Sequence, residues 1–291
     1  MILTDNSFKN FNPSKVQKEK SVINCVRFSD DGSLLGTTTA TTLKIFDPLT
    51  SKLQTCINIH STKLFDFFFP NTIIHTADHN LKYLSIFDNH YIRNFKNHRS
   101  TIRSLSVSKR TNIILSTSKE RVNIWDISVR NPIYTINCVN SVGCLSNLST
   151  DFCVSVNNAM IKFFDLKQAT FGPYYTIPLL SEIVSMEYTF DDRFVVVTTT
   201  TAYVFISTDK HEIYWTISME NRGRGCVTPD SRYFLCTSGA YIFVYDIIAR
   251  KKLHSYKDHI NEYGNIRFNP LYAQFVTGGS AVRYWLPKSD K

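Results

Sequence analysis

Short runs of β-branched and aromatic residues recur along the whole chain, and most of them close on an aromatic residue followed by aspartate. The instances are LKIFD ending at Asp47, YLSIFD at Asp88, VNIWD at Asp126, IKFFD at Asp165 and IFVYD at Asp246. Between the last two lies YVFIS, ending at Ser207, and the final run is VRYWLP, where Leu286 takes the aspartate position. Successive intervals are 41, 38, 39, 42, 39 and 40 residues. β-Branched and aromatic residues favour a pleated, half-buried surface, so each run predicts a strand.

Each unit has the same internal order. In the sixth, GCVTP predicts a short strand, Asp230-Ser231 a turn, RYFLCTS a second strand and Gly239-Ala240 the next turn. YIFVYD and KKLHSYK complete four strands. Four short strands repeated about every 40 residues read as blades of an all-β, seven-bladed WD40 β-propeller. The spacing predicts one such propeller over 1–291, with blade ends near 47, 88, 126, 165, 207, 246 and 286. No stretch has a 3.6-residue apolar period, so almost no helix is expected. The last unit ends at Pro287 with too few residues left for an outer strand. Residues 8–16 are expected to supply that strand and to cover the edges of the end blades.

The repeats are degenerate. Standard units carry a Gly-His pair, a Ser or Thr, a turn Asp and the Trp, joined as a buried polar network. Trp125-Asp126 is the one literal Trp-Asp pair, and Trp285 stands at the equivalent place in the last unit. Asn97-His98 and Asp258-His259 stand where the Gly-His pair would be, and Lys119 replaces the turn aspartate before VNIWD. His98 and His259 therefore read as structural, and packing is expected to hold these blades in place of an incomplete network.

Composition narrows the picture further. The apolar fraction of 43% and charged fraction of 20% describe a chain that buries a core. Phe194 to Thr208 is uncharged but interrupted by threonines, and shorter than the roughly 20 apolar residues a membrane helix needs. Asp5 and Asn6 fall where a signal peptide needs its apolar stretch. The seven cysteines (25, 56, 138, 144, 153, 226, 236) are odd in number and show no C-x-x-C spacing, so reduced thiols are expected. A net charge of +9 permits contact with anions without requiring it.

No sequence signature of catalysis is present: no G-x-S-x-G, P-loop, G-x-G-x-x-G or H-E-x-x-H. No cofactor and no metal are expected. Asp47, Asp88, Asp126, Asp165 and Asp246 fall at equivalent places in separate blades and predict strand-end and turn roles. His75 and His79 flank a turn, where i, i+4 spacing does not form a metal pair. Binding is the better expectation. In this register the segments 96–103, 118–121 and 221–225 fall between strands at one end of the blades. Arg99, Lys119, Arg121, Arg222 and Arg224 sit on them, and arginine forks bind phosphate or carboxylate bidentately.

Several blocks are more particular than the generic repeat: LTDNSFKNF, VINC near Cys25, KYLSIFDNHYIRNFKNH (Lys82 to His98), FDLKQATFGPYYTI (Phe164 to Ile177) and YWLP (Tyr284 to Pro287). Together they resemble, collinearly over essentially the whole chain, the family of WD-repeat protein eighty-two, small propeller subunits of COMPASS-type histone H3 lysine-4 methyltransferase complexes. The resemblance implies a non-catalytic nuclear scaffold. Its partners would be the methyltransferase catalytic subunit, other COMPASS subunits and the phosphorylated C-terminal tail of RNA polymerase II. Cleavage and polyadenylation or type-one phosphatase complexes are the alternative setting, and a generic WD adaptor a further one. No membrane and no direct nucleic-acid contact are expected. Two departures stand out: Ser207 replaces the blade aspartate, and several loops are short.

Overall fold

The computed structural model describes residues 3–69, 71–108, 110–157, 159–220, 222–257 and 264–288, with the backbone alone at position 222. Among them the regular structure is strand throughout, apart from two single 3-10 turns at Ser7–Lys9 and Ala169–Phe171. The fold is a seven-bladed β-propeller. Strand β1 (Phe11–Lys18) comes first. Blade one holds β2 (Cys25–Phe28), β3 (Leu35–Thr38), β4 (Thr42–Phe46) and β5 (Leu53–Asn58). Blade two holds β6 (Phe65–Phe69), β7 (Thr72–Ala77), β8 (Asn80–Ser85) and β9 (His90–Lys96). Blade three holds β10 (Ser104–Val107), β11 (Ile113–Thr117), β12 (Arg121–Asp126) and β13 (Tyr134–Asn137). Blade four holds β14 (Gly143–Leu145), β15 (Asp151–Val156), β16 (Met160–Asp165) and β17 (Tyr175–Pro178). Blade five holds β18 (Ile183–Tyr188), β19 (Phe194–Thr199), β20 (Ala202–Ser207) and β21 (Ile213–Ser218). Blade six holds β22 (Arg222–Val227), β23 (Tyr233–Ser238), β24 (Tyr241–Asp246) and β25 (Lys251–Lys257). Blade seven holds β26 (Asn265–Phe268), β27 (Phe275–Gly278) and β28 (Ala281–Pro287), with β1 as its fourth strand.

Two compact units divide the chain. One is Met1–Lys63 with Met219–Lys291 and carries blades one, six and seven; the other is Leu64–Ser218 and carries blades two to five. In the first unit β1 lies antiparallel to β28, with Phe11 opposite Pro287 and Lys18 opposite Ala281. Phe8 is not part of this strand. It sits in the 3-10 turn, fully buried, with its ring 4.8 Å edge-on to Tyr233. The Tyr256 hydroxyl donates to its carbonyl. The strand then runs on to Lys18, with an irregularity after Pro13, whose missing N–H suits a bulge in an outer strand.

Apolar residues alternate along the strands and meet between neighbouring blades of the same unit. Phe68, Ile74 and Phe95 of blade two pack with Val107, Ile114 and Trp125 of blade three. Leu3, Phe8 and Phe11 pack with Tyr233, Tyr256, Phe268, Phe275 and Trp285.

The turns repeat as well. Ser29 Oγ, Thr189 Oγ1 and Thr228 Oγ1 each bond the aspartate two residues on: Asp31, Asp191 and Asp230. The next residue has a positive φ, as Gly32, Asp192 or Ser231. Such Ser/Thr–Asp turns need short polar side chains and tolerance of the left-handed region. The blade aspartates cap the following turn. Asp47 Oδ1 accepts from the Leu49 N–H, Asp126 Oδ1 from Ser128, Asp165 Oδ1 from Lys167 and Asp246 Oδ1 from Ala249. Asp88 bonds the Ser85 hydroxyl.

One expected loop is a strand. Positions 222–225 begin β22, paired through Arg222 with Ser238 and through Gly225 with Cys236, with one extra residue between. The physical reason is the ladder with β23, which takes up their backbone groups, and Gly225 suits it because a Cβ there would fall 2.2 Å from Phe234 Cζ.

Candidate functional site

The connection from β9 to β10 carries Asn97, His98, Arg99 and Ser100 across the start of blade three. Trp125, on β12, is fully buried, and its indole N–H donates to Ser116 Oγ on β11 at 2.8 Å. Ser116 Oγ lies 2.7 Å from His98 Nε2, and Asn123 Nδ2 lies 3.2 Å from the same nitrogen. Asn123 Oδ1 accepts from Asn97 Nδ2 at 3.1 Å and from Thr135 Oγ1 at 3.0 Å, which sets the orientation of its amide. An amide nitrogen only donates, so His98 Nε2 is the acceptor and the ring proton sits on Nδ1.

Burial pushes the His98 imidazole down to about 4, and the charges of Arg121 and His79 push the same way. The ring is neutral at neutral pH. The network expected to be too incomplete to hold this blade is therefore bonded through Trp125, Ser116 and His98, and Asn123 extends it. Its gap is at His98 Nδ1, which has no hydrogen-bond partner among the described residues. Blade seven keeps the indole half of the same arrangement, with Trp285 Nε1 donating to Thr277 Oγ1 at 3.1 Å. His259 lies outside the described residues.

Three of the five basic candidates lie on the segments that open blade three. Arg99 is exposed beside His98, and Lys119 is exposed in the β11–β12 turn. Arg121 opens β12, and its Nη1 reaches back to the Asn97 carbonyl at 3.2 Å and to Asn97 Oδ1 at 3.4 Å. Arg222 and Arg224 belong to the other unit, on β22. Arg224 is half-buried, and its N–H donates to the Gly264 carbonyl at 3.4 Å. Sequence reading missed Ser116, Asn123 and Asn97 as members of the network. The available signal was spacing: Ser116 stands nine residues before Trp125, and Asn123 faces it in the β11–β12 register.

Elsewhere His75, on β7, is buried against the Thr76 carbonyl, and burial pushes it down to about 4. Among the described residues no group of three His, Cys, Asp or Glu side chains gathers as a metal site would need.

Residues 89–126 match the family described as WD domain, G-beta repeat. The chain is 23% identical to WD repeat-containing protein 82 of Drosophila melanogaster, over 99% of this chain and 98% of that protein. It is 24% identical to the COMPASS component SWD2 of Saccharomyces cerevisiae, over 96% and 94% of the two chains. To the Set1 complex component swd2 of Schizosaccharomyces pombe it is 22% identical, over 90% and 92%. Seven four-stranded blades, the WD-domain match around Trp125 and collinear likeness over nearly the full length make the chain a WD-repeat propeller similar to the WD82 and Swd2 proteins.

Proposed function

We propose that this protein is a non-catalytic scaffold subunit of a Set1/COMPASS-type histone H3 lysine-4 methyltransferase complex in the nucleus. The observation that carries this reading is collinearity: two relatives whose names place them in COMPASS and Set1 complexes align over at least nine-tenths of this chain. A link to transcribing RNA polymerase II is the finer part of the proposal. It would run through the phosphorylated C-terminal tail of the polymerase, and the basic residues at the entrance to blade three suit such a ligand, since phosphate oxygens pair with arginine and lysine.

The test is purification of the tagged protein from nuclear extract, followed by mass spectrometry. Recovery of a SET-domain methyltransferase with further propeller subunits supports the reading. Recovery of polyadenylation or phosphatase subunits without the methyltransferase moves the chain to a different complex and overturns it. Binding of a serine-phosphorylated polymerase-tail peptide, set against the unphosphorylated peptide, tests the finer part separately.

A further inference from the structure

Three buried polar atoms at the start of blade three have no hydrogen-bond partner among the described residues. They are His98 Nδ1, Ser100 Oγ and Arg121 Nε, each shielded from water and each without a hydrogen-bond partner. His98 is only 5% exposed, so its Nδ1–H cannot turn to solvent. Buried polar groups are nearly always paired, and one left without a partner is destabilising. Two of them lie on the β9–β10 connection, and the third opens β12, whose side chain reaches back to that connection at Asn97.

Their character is uniform. The ring proton is on Nδ1, a guanidinium nitrogen only donates, and a hydroxyl donates as readily as it accepts. The surroundings are positive: Arg121 is Coulombically coupled to His98, Arg99 follows it in the chain, and Lys119 stands where the repeat normally places a carboxylate. The nearby acids do not fill the gap. Asp78 and Glu120 lie in neighbouring turns, yet these three atoms remain unpaired. Donors, positive charge and a lost internal carboxylate all ask for the same thing, an oxygen anion supplied from outside.

We infer that the entrance to blade three is a subsite for an oxyanion carried by a partner segment, a carboxylate or a phosphate, held by His98, Ser100 and Arg121 with Arg99 and Lys119 at its mouth. The anion takes the part that an aspartate at position 119 would play and completes the Trp125–Ser116–His98 chain. Contact requires the half-exposed Arg121 side chain to move aside or close over the ligand. The inference deepens the basic-end reading given above, but it stands on the unpaired donors and not on which complex the protein serves.

The experiment is thermal unfolding of the full chain in sodium chloride, sodium acetate and sodium phosphate at equal ionic strength, for the wild type, Lys119→Asp and Arg121→Gln. Ligands that bind only the folded state raise Tm. At several times the dissociation constant the rise is about 2–4 °C for a chain of this size. Phosphate also stabilises folded chains generally by exclusion from their surface, so the variants decide.

The inference expects an anion-dependent rise in the wild type. Lys119→Asp, with its own carboxylate, should melt higher in chloride and lose the anion-dependent part. Arg121→Gln should lose that part without the gain in chloride. Acetate and phosphate acting alike identify a carboxylate-binding site that also takes phosphate. Phosphate acting alone identifies a phosphorylated residue as the source. Equal responses in all three proteins, or none in any, leave the donors to water and overturn the inference. Ring 15N spectra give a second readout: the His98 Nδ1 signal should shift on titration with inorganic phosphate and stay fixed in Lys119→Asp. This titration can succeed in a protein that co-purifies with no methyltransferase, and fail in one that does, so the two readings stand or fall separately.

Discussion

Ser116 Oγ joins Trp125 to His98: it accepts the indole N–H at 2.8 Å and donates to the imidazole at 2.7 Å. All three side chains are buried, so one hydroxyl satisfies a donor on one side and an acceptor on the other. Ser116→Ala should therefore cost about 2 kcal/mol, mainly from the orphaned indole N–H, since His98 Nε2 keeps Asn123. Urea unfolding followed by tryptophan fluorescence measures it; a change below a few tenths of a kcal/mol would deny the bond any weight.

The N-terminal segment acts as a clasp on blades six and seven. Phe8 is fully buried, Tyr233 donates to Asp5 at 2.9 Å, and Arg232 bridges Asp5 and the buried Asp246. Phe8→Ala should cost about 3–5 kcal/mol. Deleting residues 1–16 should cost more, because β28 also loses most of its outer partner. Differential scanning calorimetry of both variants checks this, and an unchanged melting temperature in the deletion would refute the clasp.

Acid should weaken the protein through two histidines. The folded-state values of His75 and His98 are both pushed down to about 4, chiefly by burial, with Lys82 adding at His75 and Arg121 and His79 adding at His98. The unfolded chain takes up their protons near pH 6.5, so it binds more protons than the folded chain below that pH. Stability is then full above about pH 6.5 and falls as the pH drops toward 4, by up to roughly 3 kcal/mol per histidine. Urea midpoints between pH 7.5 and 4.5 should trace this slope, and His98→Gln should remove about half of it.

Gly225 is held by packing. Its backbone faces Phe234, leaving no room for a methyl group. Gly225→Ala should shift the Phe234 ring or β22 and cost about 1–3 kcal/mol. The urea midpoint of this variant reads the cost directly, and wild-type stability would show that β22 yields easily.

Charge reversal tests the exposed basic residues at the entrance to blade three. Arg99→Glu with Lys119→Glu changes exposed side chains, so it should leave Tm within about 1–2 °C while weakening a serine-phosphorylated peptide at least about tenfold. Fluorescence polarisation against the unphosphorylated peptide is the control. Unaltered affinity would remove this end of blade three from the proposal.

Much of this molecule could be read before any coordinate was known, and the reason is local. A 40-residue period, turn aspartates and runs of β-branched residues are set by near neighbours, so strands, turns and blade number follow from the chain directly. Trp125 and the blade aspartates were legible for the same reason. The rest depended on contacts between residues distant in sequence. Asn97 was read as half of a broken motif, yet it meets Asn123 and Arg121 only because β12 lies alongside the connection from blade two. Arg222 and Arg224 looked like loop residues, because the sequence does not say that the ladder with β23 draws them into β22. Phe8 carried a strand pattern but turned inward, since burial against Tyr233 and Tyr256 outweighs one more pair of ladder bonds. The unpaired donors of blade three could be found only in three dimensions: a sequence shows that Lys119 is not an aspartate, but only the packed structure shows which atoms are left without a partner.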